Sequence, residues 1–322
     1  MTTAAVRRFR SMATDVVLQV ERPGPQANRA LDAAAALFGR IERACTRFDD
    51  ASPLMRANAD PRRWHEVPDE LYAAVQAASL AHESTVGRFD PRILTALKGL
   101  GYDVTFSEVR PTGPDSGTAP SSSPRCRGTW RPGLDARRRR IRIGPDPIDL
   151  GGIGKGLAVT WAARLLAEHG DAVLVEAGGD LQAVGHGPDG DGWQVGVEDP
   201  AGGTQPVAVV RLADGGVATS SIRLRHWERG GRQVHHILDP RTGRPADSGL
   251  VSVTVVDAHA GAAEVWSKAL FVVGRGSLRG YAEEHGIAAL WVDEDGWLGV
   301  SPAMQEFLVW RRDPAQAVAA GA

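Results

Sequence analysis

Cysteine is almost missing: only Cys45 and Cys126 occur in 322 residues. Two thiols cannot supply a disulfide framework for a chain of this size. Neither sits in a CxxC spacing, so no zinc site built from them is expected. Both are expected to be free thiols in a reducing compartment. Long apolar runs are missing too, with no stretch of about 18 apolar residues, so no membrane-spanning helix is expected. The first residues carry the basic pair Arg7 and Arg8 but no apolar stretch of roughly seven ahead of a small-residue cleavage site, which argues against a signal peptide. The cytoplasm is the expected location. There is no excess of one charge either: 37 Lys and Arg face 39 Asp and Glu, a net charge of -2. No global field therefore draws the chain to nucleic acid or to an acidic membrane. The local run Arg137 to Arg140 reads as a solvated hairpin flank rather than a binding patch.

What remains is the composition of an ordinary soluble globular protein, 43% hydrophobic and 24% charged. The length suffices for one large domain or two smaller ones. Residues 13–21 alternate and predict a strand. Residues 27–48 place Leu31, Ala34, Leu37, Phe38, Ile41 and Cys45 at helical spacing. A second helix is expected over 68–84, opened by Pro68 and Asp69, and a third over 90–100 with Pro91 near its start. Residues 111–128 are rich in Pro, Gly, Ser and Thr and read as a flexible surface insertion. A hairpin is expected over 134–143. Further helices are expected over 153–169 and 261–273, and strands over 172–176, 193–198, 206–212, 250–257, 289–292 and 297–300. The Ala-rich tail from Pro314 is expected to fray. Strands and helices mix without a regular βαβ beat, so the expected fold is α+β with a mixed, largely antiparallel sheet, in a single large domain over residues 1–313.

Four stretches could carry chemistry. The run from Ile148 to Gly156 follows a strand and enters a helix. Its glycines allow close backbone approach, the helix start offers free N–H groups, and Lys155 adds a point charge. It is neither a Walker A loop nor GxGxxG. A diphosphate cradle and a tight strand-to-helix turn are both open readings. The double glycine Gly178-Gly179 before Asp180 permits ligand approach or makes a simple hairpin turn. The segment from His235 to Pro245 contains a DPxTG turn after two adjacent histidines. On a strand these point to opposite faces, so at most one faces a site, as a general base or as a structural residue. Finally, Glu264 and Lys268 lie four apart on a predicted helix and share a face. Their bland reading is a surface salt bridge of little worth.

Taken in order, these segments resemble the FAD:protein FMN transferase (ApbE-like) family from about Ser11 to Gly274. The family's Met-Gly-Thr start is seen as Met12-Ala13-Thr14, and its Ser-x-Leu-x-x-x-Asn segment runs from Ser52 to Asn58. Gly-x-Phe-Asp-Pro matches Gly87 to Pro91, and Asp-Leu-Gly-Gly-Ile-x-Lys-Gly matches Asp149 to Gly156. Gly-Gly-Asp-Leu follows at Gly178 to Leu181, Thr-Ser at Thr219-Ser220, and His-Ile-x-Asp-Pro-x-Thr-Gly at His236 to Gly243. The resemblance implies a T-fold-like α+β core with FAD held in a cleft by the Gly-rich loops. It implies FMN transfer from FAD to a Thr hydroxyl of an acceptor flavoprotein with a Thr-containing flavinylation motif, AMP being released. FAD contacts are implied for Met12, Thr14, Asp90, Gly151, Gly152, Lys155, Gly178, Gly179, Asp180, Ser220, His236, Asp239 and Thr242. His236 would assist the nucleophile. A divalent metal, usually Mg²⁺, would be held by the Gly154 carbonyl and by Glu264.

The chain departs from this pattern where the family helix reads A-D-A-L-A-T-A and its Asp and Thr bind metal. Here those positions are Glu264 and Lys268. A protonated lysine has three donors and no acceptor, so it cannot ligate. Lys268 then either replaces part of the metal charge, pairing with Glu264 or the pyrophosphate and counting among the catalytic residues, or marks a flavin-binding protein that has lost transfer and retains at most slow FAD pyrophosphatase activity. An inert interaction module is the third reading. Two further departures are Ser221, where the family has Gly, and Thr160, where it has an Asp that closes the Lys-Gly segment.

Overall fold

The computed structural model describes residues 4–103 and 128–313. The insertion expected over 111–128, Gly128 apart, and the tail from Pro314 lie outside the described residues. Two compact units emerge. One comprises Met1–Gly39, Lys155–Arg223 and Ser248–Ala322, the other Arg40–Gly154 and Leu224–Asp247.

The first unit is built on an eight-stranded sheet. In spatial order its strands are Ala5–Ser11, Thr14–Glu21, Ala172–Ala177, Asp180–Val184, Gly215–Ser221, Leu250–Asp257, Ala288–Asp293 and Leu298–Val300. Every neighbouring pair is antiparallel, as the absence of a βαβ beat predicted. Alternation sets which face each strand buries. In Thr14–Glu21, Val16, Leu18 and Val20 turn inward. Leu181, Ala183, Val217, Val256, Leu290 and Val292 form one core with Trp193, Val210 and Leu212. The last three come from a smaller sheet of Trp193–Val197, Ala208–Leu212 and Leu308–Arg311. Helix Ala260–Val273 packs on strands Gly215–Ser221 and Leu250–Asp257.

The second unit holds helices Pro53–Ala59, Asp69–Ser84 and Leu94–Gly99. A three-stranded sheet orders His65–Glu66, Arg140–Arg142 and Gly133–Asp135. The expected hairpin over 134–143 is therefore present, with the arginine run on its turn and flank. Two short ladders follow, His226–Arg229 with Arg232–His235 and Leu238–Asp239 with Arg244–Pro245. Leu97, Leu100, Tyr102, Trp227, Val234 and Leu238 pack together, and Trp227 Nε1 donates to the Leu100 carbonyl at 2.9 Å.

Some expected boundaries move for identifiable reasons. The helix expected over 90–100 starts at Leu94. Asp90 Oδ1 accepts the Arg92 N–H at 2.9 Å, which closes a side-chain turn over the segment instead. Helix Pro53–Ala59 was not expected; Ser52 caps it by accepting the Met55 N–H at 3.1 Å. Strand Ala5–Ser11 also escaped the sequence reading because Arg7, Arg8 and Arg10 dilute its apolar pattern.

Strands Ala5–Ser11 and Thr14–Glu21 are joined by Met12 and Ala13, with Ser11 opposite Thr14. Both turn residues are left-handed, at φ 54° and 59°, the backbone a two-residue hairpin of this hand needs. Alanine carries a steric cost there that glycine does not. Ala13→Gly is expected to raise stability by about 1 kcal/mol in urea titration; a decrease would contradict the turn geometry.

Cys45 is buried and free. Burial, with a smaller contribution from the Glu70 carboxylate, pushes its thiol up to about 12. In a Cys126→Ser background the native protein should resist maleimide at about pH 8 and react only after unfolding. Rapid labelling of the native protein would refute this.

Candidate functional site

In the first unit, Lys155 opens helix Gly154–Leu166 and Glu264 lies one turn into helix Ala260–Val273. Gly156 lets the two helices touch: a Cβ on it would lie 2.6 Å from the Ala260 carbonyl oxygen and 2.8 Å from Gly261 Cα. The partner helix is seated by its neighbours. Gln182 Oε1 accepts the Ala260 N–H at 2.8 Å and Thr160 Oγ1 accepts the Gly261 N–H at 3.2 Å. These contacts satisfy orphan donors of the first turn. Thr160, one of the departures from the family pattern, thus serves as a helix anchor.

This close approach assembles four charges. Glu264 Oε2 accepts the Gly156 N–H at 2.9 Å, while Oε1 accepts from Lys155 Nζ at 3.2 Å and Lys268 Nζ at 3.1 Å. Lys155 also donates to Asp180 Oδ2. Burial pushes the Glu264 carboxyl up, but Lys155, Lys268 and the Gly156 N–H outweigh it, and the group is held well below the usual carboxylate range. Asp180 goes the other way: burial raises it, Lys155 opposes, and the Glu264 charge adds to the rise. The expectation that Glu264 and Lys268 make only a surface salt bridge is corrected, because the Glu264 side chain is 1% exposed. Nor does Glu264 fit the metal-ligand role implied for it. One of its oxygens faces two ammonium groups and the other a backbone N–H, which leaves no arrangement suited to a cation. Among the described residues, no group of three or more His, Cys, Asp or Glu is placed to hold a metal ion.

Other expected contacts also fall in the first unit. Gly178 is left-handed at φ 58°, and a Cβ there would lie 2.4 Å from Thr14 Oγ1. Strands Ala172–Ala177 and Asp180–Val184 pair across Gly178-Gly179, which makes a hairpin turn with Thr14 against it. The Ser220 hydroxyl is buried and hydrogen-bonded to Ser267 Oγ at 2.8 Å.

In the second unit, neighbouring motifs brace the Gly-rich loop. Asn58, at the end of the helix that Ser52 caps, clasps Ile148 on both sides: its Nδ2 donates to the Ile148 carbonyl and its Oδ1 accepts the Ile148 N–H, each at 2.8 Å. Asp149 donates its N–H to the Pro91 carbonyl at 2.7 Å, accepts the Gly151 N–H at 3.1 Å, and pairs with Arg47 at 3.2 Å. Asp90 pairs with Arg92 at 2.7 Å. The Ser52, Asn58, Asp90 and Asp149 motifs thus meet at one loop, Gly151 and Gly152 at its tip and Gly154 starting the helix. Gly154 donates to the Leu150 carbonyl at 2.8 Å.

Also in this unit, Asp239 organises the predicted turn. Its carbonyl accepts the Gly243 N–H at 2.8 Å, its carboxylate holds Arg241 at 2.8 Å, and Thr242 Oγ1 accepts the Arg244 N–H at 3.2 Å. His236 Nδ1 lies 3.2 Å from the Arg225 carbonyl oxygen. That oxygen can only accept, so Nδ1 carries the proton and Nε2 is the basic nitrogen of the neutral ring.

The sequence profile of the ApbE family matches residues 12–291. The chain belongs to the ApbE family. Among curated relatives it is 34% identical over 169 residues to the FAD:protein FMN transferase of Salmonella typhimurium, covering 50% of this chain and 48% of that protein. It is 30% identical over 281 residues to the FAD:protein FMN transferase of Treponema pallidum, covering 79% of this chain and 74% of that one. The matched stretch thus spans about half the length of the first relative and about three quarters of the second. The crystal structure of the ApbE protein of Thermotoga maritima superposes at a TM-score of 0.80 with 28% identity, over 97% of this chain and 100% of that one. The mixed, antiparallel α/β fold of this ApbE-family chain is that of its relatives. No described helix is long and apolar enough to cross a membrane.

Sequence reasoning passed over Gln182, Asn58 as a clamp, Ser267, and the contact role of Gly156. Gln182 and Ser267 had no local signal, since their partners are 78 and 47 residues away. Gly156 had one: a glycine after the helix has begun is unfavourable unless something must come close.

Proposed function

We propose that this chain transfers FMN from FAD to a threonine hydroxyl of an acceptor flavoprotein. The observation that carries the reading is the pair of ammonium groups, Lys155 and Lys268, gathered where a Gly-rich loop becomes a helix. Fixed cations suit a diphosphate. In this reading the FAD contacts implied by the family resemblance are Met12, Thr14, Asp90, Gly151, Gly152, Lys155, Gly178, Gly179, Asp180, Ser220, His236, Asp239 and Thr242. Residues 1–313 then act as one transferase domain. The free Cys45 thiol suits a reducing cytoplasm, the setting we assign to the reaction.

The reaction is substitution at phosphorus. The threonine oxygen bonds to the FMN phosphorus, and the P–O bond to the bridging oxygen breaks. AMP leaves with that oxygen, and the hydroxyl proton passes to a base, for which His236 Nε2 is the candidate. Catalysis then consists of alignment and charge neutralisation by the chain's own lysines. Incubation with FAD and a threonine-bearing flavoprotein should release AMP in proportion to acceptor. Bound FAD without acceptor-dependent AMP would defeat the proposal, and a His236→Ala variant should lower the rate by roughly 10²- to 10⁴-fold.

A further inference from the structure

The buried cluster is neutral by formal count, with Lys155 and Lys268 against Asp180 and Glu264, yet it is not symmetric. The carboxylate side chains are 2% and 1% exposed, whereas Lys155 and Lys268 are 15% and 20% exposed. The lysine side chains thus reach solvent while the carboxylates they hold do not. Lys268 is fixed from below by Glu264, through Oε1 at 3.1 Å and the Glu264 carbonyl at 3.5 Å. An ammonium has three N–H donors, so these bonds leave one for another acceptor. A divalent cation at Glu264 Oε1 would lie against two ammonium groups. An anionic phosphate meets preorganised donors.

We propose that Lys268 supplies, as a fixed side-chain cation, the positive charge that a divalent metal would otherwise bring to the phosphates, so that this chain binds FAD without one. The inference rests on the FMN-transfer reading and deepens it: Lys268 is a substrate-binding residue for the diphosphate, and Glu264 positions it.

FAD binding, followed by quenching of flavin or tryptophan fluorescence, tests this without reliance on turnover. Wild-type Kd for FAD should agree within about twofold between EDTA and excess MgCl₂. Lys268→Met, which keeps the apolar stem and removes the charge, should weaken binding at least about tenfold in EDTA. Lys268→Thr should gain metal dependence, binding about tenfold more tightly with MgCl₂ than with EDTA. Lys268→Arg should stay metal-independent. Wild-type affinity that collapses in EDTA and returns with MgCl₂ overturns the inference while leaving FMN transfer standing; so does a folded Lys268→Met that binds like wild type. Wild type that binds no FAD in either buffer overturns the inference and the transferase reading together. Should Lys268→Met fail to fold, the wild-type comparison decides alone.

Discussion

Lys155→Met is expected to cost about 3–5 kcal/mol of stability, because it strips the shared cation from two buried carboxylates. Lys155 donates to both Asp180 and Glu264. Lys268 remains on Glu264, but the Asp180 carboxylate, 2% exposed, loses its hydrogen-bonded cation. Asp180 is already raised by burial with Lys155 opposing; without Lys155 it rises further. A carboxyl raised in the folded state favours the protonated native form, so the deficit should shrink as pH falls through that raised value and be largest above it. Urea titrations of both proteins across pH measure this. FAD affinity should fall roughly tenfold to a hundredfold, the range for a lost charge-assisted hydrogen bond. A variant as stable as wild type at neutral pH would show that the cluster is not the buried, tightly paired unit described.

Gly156→Val is expected to be nearly as damaging by a different route. The obstructing atoms are backbone, the Ala260 carbonyl oxygen at 2.6 Å and Gly261 Cα at 2.8 Å, and cannot rotate away. The helices must separate, which costs about 1–3 kcal/mol as overpacking. Separation also lengthens the Gly156 N–H bond to Glu264, a bond to a charged group worth about 1.5–3 kcal/mol. Together, a loss of about 3–5 kcal/mol and a displaced Lys268 are expected. Gly276→Ala is the control, since nothing lies within 4 Å of its added Cβ; it should be neutral or slightly stabilising in helix Arg275–Glu284. Equal thermal unfolding temperatures for the Val variant and wild type would contradict the helix contact.

Strong local periodicity made much of the fold legible. Strand Leu250–Asp257 and helices Ala27–Cys45 and Ala260–Val273 carry apolar patterns that survive in the structure within a few residues. Strands Ala5–Ser11 and Gly215–Ser221 did not announce themselves. The first is dressed with arginine, and the second reads Gly-Gly-Val-Ala-Thr-Ser-Ser, small residues chosen by the helix packed on it. The site was legible as motifs and much less so as contacts. Glu264 and Lys268 at four-residue spacing predicted their pairing, but Lys155, 109 residues earlier, joins the same oxygen only through the helix contact at Gly156. The same distance in sequence hid the burial that converts a weak surface pair into the centre of a charge cluster.

Peptide mapping of an acceptor flavoprotein after incubation with this chain and FAD, in EDTA, tests the central claim most directly. The account predicts one threonine peptide heavier by the FMN phosphoryl group, with AMP formed in equal amount. FAD bound but every acceptor peptide unmodified would contradict it.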